Sequence, residues 1–512
     1  MKFLAWMYDI AREQAPTADR LAELLAQSAA AGYDAVGLYL EHRFEYRSAP
    51  WAAAPGALSP AALKSAIATA RAAGPTPRVI PFLNSLGHME GFIRSEDGWF
   101  LGETHEVGRL SLQVCPCRDE CRDFVKRLLA DVIAAFDDEW LHIGGDEAWE
   151  LGKCARCAAR VEKVGKAGLF GEYYGELCRW VLRQGRRPGL WADMLLEHPA
   201  AMDHLPRETL LFDWQYFDRP RTTTRRLRDR GFEVVCCPSV QSYNSIWAFL
   251  AETQRNIDEH VEDAHEHGAL GVCVTTWEYS FLTNFPATFP LVLAAGRRIR
   301  GKLSWDAALR AVGGEQFAVA AEILGNRIPA AAKSIAPGTW RVIRDRMLVR
   351  QNPFYLWADW REEACQAPGD AILRLCDEVD ALLPNDSPLR FPALFYRVSV
   401  QWVRAVEAAH RAYAARDLPG CCRALSAGAA LLAQLEAGAA EIARPEVGGS
   451  RADVFRVRAM VERVQTVIRR IESLESDGVV VRGRPYLPAF QMITHDAYIP
   501  HDYAGWRTGM YR

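Results

Sequence analysis

The sequence predicts an α/β chain: a (β/α)8 TIM barrel over residues 1–325, followed by an α-helical C-terminal domain with an irregular tail over residues 326–512. Three observations predict it. Short β-rich apolar runs alternate with longer amphipathic segments, and Gly, Pro or Asp punctuates each junction. The runs number eight within about 300 residues, which matches a closed barrel of parallel strands with right-handed crossovers better than an open sheet. Strand signals then stop, and apolar residues recur at three- and four-residue spacing.

In chain order, strands are expected at 4–10, 35–40, 78–84, 140–145, 188–194, 209–215, 233–239 and 271–277. Helical patterns run from Thr17 to Gly32, Ser59 to Gly74, Arg118 to Phe136, Phe170 to Gly185 and Ala248 to Gly268. Several begin at Thr, Ser or Pro and stop at Gly, as helix caps require. Beyond the barrel, helices are expected from Val398 to Asp417, Gly420 to Ile442 and Arg451 to Glu475. They are expected to pack as a bundle, with a homodimer contact through the Arg-rich last helix as the other reading. Pro485 to Arg512 has no clear period.

Composition excludes several classes. Of 512 residues, 50% are hydrophobic and 24% charged, enough for a large core and two or three domains. A net charge of −3 without a long basic run leaves no electrostatic footprint for nucleic acid or an anionic membrane. The N-terminus reaches Asp9 and Arg12 before any signal-like apolar core is long enough, and no run of about 18 apolar residues follows, so a cytoplasmic address is expected. Thirteen cysteines, an odd number, fit buried thiols better than a disulfide framework.

The chemistry is expected where Trp140-Leu141-His142-Ile143-Gly144-Gly145-Asp146-Glu147 ends an apolar run with two glycines and two carboxylates. Barrel enzymes place their reacting groups at the C-terminal ends of strands. Glycines there let a ligand approach the backbone, and adjacent carboxylates can have their pKa values pushed apart. The other strand ends carry matching polar and aromatic groups. They are Asp9 and Arg12; Glu41; Gly87-His88 and Glu90; Trp191 and Asp193; Asp213, Trp214 and Tyr216; Tyr243; and Trp277-Glu278. Tryptophan faces among carboxylates suit a pyranose ring, whose C–H face stacks on indole while its hydroxyls hydrogen-bond to charged groups.

The His142-x-Gly144-Gly145-Asp146-Glu147 motif after the fourth strand resembles the signature of glycoside hydrolase family 20, the β-N-acetylhexosaminidases. Within that family the chain looks most like the branch related to hexosaminidase D, whose barrel lacks the usual preceding α/β domain. The resemblance implies exo-acting, retaining hydrolysis of a terminal β-linked N-acetylhexosamine, with the substrate's 2-acetamido oxygen as nucleophile. It implies no cofactor and no catalytic metal. Glu147 would be the acid and base, with a raised pKa; Asp146, ionised, would hold the acetamido N–H; Tyr243 would donate to the acetamido oxygen. Arg12 would grip the O3 and O4 hydroxyls, Trp191, Trp214 and Trp277 would wall the pocket, and Glu278 would bind O4 or O6. His88 and Glu41 would form a polar relay beside the acid, with His142 either in that network or a core histidine.

Two positions depart from the family pattern. Trp277 and Glu278 are adjacent rather than separated by one residue, and Tyr243-Asn244-Ser245 stands where Tyr-x-Asp is usual. Both bear on substrate preference. Cys115, Cys117 and Cys121, with Cys154 and Cys157, have a spacing that can hold a structural zinc, against a simpler reading as small buried hydrophobes. Two rival functions stay open: a carbohydrate-binding barrel that is non-catalytic or of altered specificity, and a divalent-metal enzyme using Glu41, His88, His142, Asp146 and Glu147 as ligands.

Overall fold

The computed structural model describes residues 2–11, 15–106, 109–240, 246–277, 282, 285–333, 362–443, 451–477, 480–481, 484–485, 487–488 and 490–494. Eight parallel strands close a barrel: β1 (Phe3–Asp9), β2 (Ala35–Tyr39), β3 (Arg78–Phe82), β4 (Trp140–His142), β5 (Arg187–Trp191), β6 (Leu210–Trp214), β7 (Glu233–Cys237) and β8 (Gly271–Thr276). Each strand neighbours the next, and the ladder closes where β1 pairs with β8 from Phe3↔Gly271 to Tyr8↔Thr276. The eight expected strands are all present, within a few residues of their expected ends.

Both faces of these strands are covered, which is why they read as near-continuous apolar runs. Every residue of β1, β2 and β8 is buried. Alternate residues point inward and fill the barrel: Phe3, Ala5 and Met7 from β1, Ile80 and Phe82 from β3, Leu210 and Phe212 from β6. The outer helices start as the sequence expects. Thr17 Oγ1 accepts from Arg20 N ahead of Ala18–Ala30, and Ser59 Oγ accepts from Ala62 N ahead of Pro60–Ala73. The pattern expected from Phe170 is the second part of a longer helix, Ala155–Arg183, which Gly165 interrupts with φ 72°.

By internal packing the chain divides into two compact units. The first comprises Met1–Gln241, Glu252–Glu278 and Phe289–Val312; the second comprises Ser242–Ala251, Tyr279–Thr288 and Gly313–Arg512. Along the sequence, short stretches after β7 and β8 group with the second unit.

Within the second unit, helices Arg390–Ala414, Leu418–Ile442 and Arg451–Asp477 pack side by side. Phe395, Val398, Trp402 and Val406 of the first, Leu425, Leu432 and Leu435 of the second, and Val457, Met460, Val464 and Ile471 of the third are buried at helical spacing. A further helix, Glu362–Leu382, was not expected from the sequence. Leu418–Ile442 is long and apolar enough, by length and composition, to cross a membrane. Polar residues scattered among its alanines and leucines keep it from forming an uninterrupted apolar run of about 18 residues.

Candidate active site

The site forms where β4 stops early. β4 ends at His142, and the chain turns through Gly144 and Gly145 at φ 78° and 110°, conformations that a side chain would strain. A Cβ on Gly144 would also lie 2.3 Å from Asn84 Oδ1. The first glycine thus admits Asn84, which follows β3, rather than a ligand as the motif suggested. Asn84 Nδ2 then donates to Asp146 Oδ1 at 3.1 Å, deep in the mouth.

Glu147 follows at φ 47°, and its backbone N–H donates to Asp193 Oδ2 at 2.9 Å. Its carboxylate turns outward, with 31% side-chain exposure against 9% for Asp146. His88 joins the two: its Nε2 lies 3.0 Å from Glu147 Oε2 and 3.6 Å from Asp146 Oδ2, while Nδ1 is 4.0 Å from Glu90 Oε1. Glu41, His88 and Glu147 all adopt positive φ, at 38°, 51° and 47°. A non-glycine residue there costs about 1–2 kcal/mol, and such strain clusters at functional sites.

The walls are aromatic. Trp214 Nε1 donates to Asp193 Oδ1 at 3.3 Å, and Trp277 Nε1 donates to the Tyr216 hydroxyl at 2.5 Å. Tyr39 meets the Trp277 ring edge-on at 5.3 Å, and its hydroxyl donates to Glu41 Oε1 at 2.8 Å. Glu41 is therefore buried against Tyr39, while Glu90 is the carboxylate beside the His88 Nδ1. Trp149, 49% exposed, stands 6.5 Å from the His88 ring.

Two expected site residues belong to the barrel core. Trp191 has no exposed surface and packs with Phe82, His142, Phe212 and Trp277, so it underlies the pocket instead of walling it. His142 stacks on Phe82 at 4.4 Å, and its Nδ1 accepts from Gly144 N at 3.2 Å. Burial pushes its pKa well below the usual value, so it is neutral and takes no part in the carboxylate network. The cause in both cases is the inward alternation of β4 and β5, which aims these rings into the barrel. Asp213 faces Thr223 and Thr224 at the start of helix Arg221–Asp229, accepting at 2.8 and 2.7 Å, and anchors that helix. Arg12, Tyr243 and Glu278 lie outside the described residues.

Sequence reasoning passed over Asn84 and Trp149 and gave Asp193 no role. Asn84 carries no charge and no motif, and only the strand-end rule could have drawn attention to it.

The carboxylates differ electrostatically. Burial raises Asp146 to about 6, aided by Glu147 and opposed by His88 and the Asn84 hydrogen bond. Burial also raises Asp193, to about 8, with Asp146 adding to it and the bonds from Glu147 N and Trp214 opposing. For His88 burial acts downward, but Asp146, Glu147 and Glu90 outweigh it and hold the imidazolium well above its usual range. Burial thus acts on the inner pair, Asp146 and Asp193, so Asp146 is not plainly ionised as expected.

A test of Asp193 follows. A carboxyl raised from about 4 to about 8 contributes stability that is complete below the lower value and is lost as pH rises through the higher one. Asp193→Asn should therefore gain thermal stability relative to the parent between about pH 4 and pH 8. A melting-temperature difference that stays constant across that window rules out the raised carboxyl.

A mouth of paired carboxylates, an imidazole and indole rings on a closed (β/α)8 barrel defines a glycosidase-type site. Comparison with known proteins finds that residues 45–278 match the model of the glycosyl hydrolase family 20 catalytic domain. The chain is 24% identical over 196 residues to beta-hexosaminidase 1 of Coccidioides posadasii, covering 34% of this chain and 31% of that protein. The match thus spans about a third of that relative's length. Among solved structures, Flavobacterium johnsoniae chitobiase aligns with 92% of this chain and 72% of its own at 15% identity and TM-score 0.48. The Vibrio harveyi exo β-N-acetylglucosaminidase in complex with N-acetylglucosamine aligns with 62% of this chain and 57% of its own, at 16% identity and TM-score 0.48.

Proposed function

We propose that this chain is an exo-acting, retaining β-N-acetylhexosaminidase whose nucleophile is the substrate's own 2-acetamido oxygen. The carrying observation is the unequal pair at the end of β4: Glu147 faces outward on His88, while Asp146 is sunk between Asn84 and His88. An exposed acid can reach a glycosidic oxygen. A buried carboxylate suits a group that must orient an N–H without attacking carbon itself.

In the first step Glu147 gives its proton to the glycosidic oxygen as the acetamido oxygen attacks C1. The C1–O bond to the leaving group breaks, a C1–O bond to the acetamido group forms, and Asp146 accepts the N–H of the resulting oxazolinium ion. The His88 Nε2–H bond stabilises the carboxylate that Glu147 becomes. In the second step Glu147 takes a proton from water, which attacks C1 and reopens the ring, so the configuration is retained. Trp214 and Trp277 supply ring faces for the sugar. Tyr243 is assigned to the acetamido oxygen, and Arg12 and Glu278 to the sugar hydroxyls, by family resemblance.

The test is hydrolysis of aryl β-N-acetylglucosaminide and β-N-acetylgalactosaminide beside the aryl β-glucoside, which lacks the acetamido group. We expect release from at least one acetamido sugar and none from the glucoside. No release from either acetamido sugar at any pH overturns the activity. Equal release from the glucoside overturns the substrate-assisted route.

A further inference from the structure

Beside the loop that carries Glu147, three chain segments distant in sequence bring four metal-ligating groups together. Glu103 follows the turn Trp99–Leu101; Cys115 precedes helix Asp119–Ala135; Cys154 caps helix Ala155–Arg183; and Cys157 lies in that helix's first turn. One ligand atom from each lies within 4.8 Å of all the others. Cys115 Sγ is 3.6 Å from both Cys154 Sγ and Cys157 Sγ, and Cys157 Sγ is 3.3 Å from Glu103 Oε2.

These three separations are close to the edge lengths of a coordination tetrahedron. With Zn–S near 2.3 Å, two sulfurs on one tetrahedral zinc stand about 3.8 Å apart. With Zn–O near 2.1 Å, a sulfur and a carboxylate oxygen stand about 3.6 Å apart. The geometry points to a zinc ion held by the thiolates of Cys115, Cys154 and Cys157 and the carboxylate of Glu103. The sequence spacing pointed to five cysteines; the structure narrows the set. Cys121 turns away to the carbonyls of Phe100 and Leu101, and Cys117 falls outside the group whose ligand atoms all lie within 4.8 Å of one another.

A disulfide describes the cluster less well. Cys115 is equidistant from two sulfurs, so either bridge would strand the third thiol beside a buried carboxylate. Burying a carboxylate among apolar and thiol groups is costly, and a cation at its centre offsets that cost. Glu103 is 2% exposed, and Cys115 and Cys157 have no exposed surface. Binding replaces three S–H bonds by S–Zn bonds and releases three protons to solvent, with no change of oxidation state.

The site is structural rather than catalytic. From Cys154 the chain runs back through tight turns, Lys153 N to Glu150 O, Leu151 N to Ala148 O and Trp149 N to Glu147 O. Ser111 Oγ donates to Glu150 Oε2 at 2.5 Å, and Cys154 N donates to Glu103 Oε1 at 3.1 Å. The metal would complete this stitching and fix the loop on which Glu147 rides, whatever glycoside the barrel takes.

The test is metal analysis of the full chain, produced without a histidine tag in zinc-supplemented medium. About one zinc per chain is expected, and cobalt exchange should give the thiolate charge-transfer band and the strong visible bands of tetrahedral Co(II). Cys115→Ser/Cys154→Ser should lose the metal, whereas Cys422→Ser should keep it. Glu103→Gln should alter the cobalt spectrum; a spectrum altered by Cys117→Ser and not by Glu103→Gln overturns Glu103 as the fourth ligand. If the double variant does not fold, the wild-type protein decides. Zinc-free protein that gives no tetrahedral cobalt spectrum, or peptide mapping that finds Cys115 bridged to Cys154 or Cys157, overturns the site. Metal content is read independently of hydrolysis, so this outcome and that of the glycoside assay are separable.

Discussion

Glu147→Gln is expected to lower turnover of a saccharide N-acetylhexosaminide by about 10²–10⁴-fold, the range that general acid catalysis supplies. With an activated aryl leaving group the loss should be much smaller. The physical reason lies in the leaving oxygen. A sugar alkoxide departs only if protonated as the C1–O bond breaks, while a nitrophenolate departs with little help. Glutamine keeps the shape of the side chain and its bond to His88 Nε2, 3.0 Å away in the parent, but has no proton to give. The check is kcat/KM on both substrates, with azide added to rescue the second step. Equal losses on the two substrates would contradict the role of Glu147 as acid.

Asp146→Asn should cost about 10²–10³-fold on every leaving group, comparable to removing one preorganised transition-state contact. It should also change two pH profiles in opposite senses. In the parent, activity should fall as pH drops through about 6, because protonating Asp146 removes the negative charge that the oxazolinium ion needs. In the variant this acid limb should vanish. Stability runs the other way. A carboxyl raised from about 4 in the unfolded chain contributes stability that is complete below that value and is lost as pH rises through 6. The variant should therefore melt higher than the parent at neutral pH and show no such advantage near pH 4. Lost activity with gained stability separates an electrostatic role from simple misfolding. A retained acid limb would show that another group sets it.

The barrel was legible because its signals are local. The strands between Phe3 and Thr276 are buried on both faces and bounded by turn residues, so each could be found in a short window. Caps such as Thr17 and Ser59 needed only three residues of context. The Asp146-Glu147 pair was likewise visible, since two glycines and two carboxylates follow a strand directly. The long C-terminal helices were found too, although Glu362–Leu382 was missed. That helix carries Pro368 and Gly369 in its interior, residues that lower helix propensity.

Partners distant along the chain were not legible. Asn84 reaches Asp146 across 62 residues, and Asp193 holds the Glu147 backbone across 46. His142 and Trp191 carry the chemical types of a sugar site, yet the inward register of β4 and β5 buries both rings in the core. The cysteines show the same limit. Sequence proposed five ligands by spacing, and only the meeting of three segments selected Cys115, Cys154 and Cys157 and added Glu103.

By itself, then, the sequence determined the eight-stranded frame and the place on it where chemistry sits, because hydrophobic period, caps and turn glycines act within a few residues of one another. The tertiary structure decided how the groups at that place divide their work. Burial and neighbouring charge, the quantities that raise Asp146 and Asp193 and hold His88 protonated, arise only when several strand ends converge on one volume.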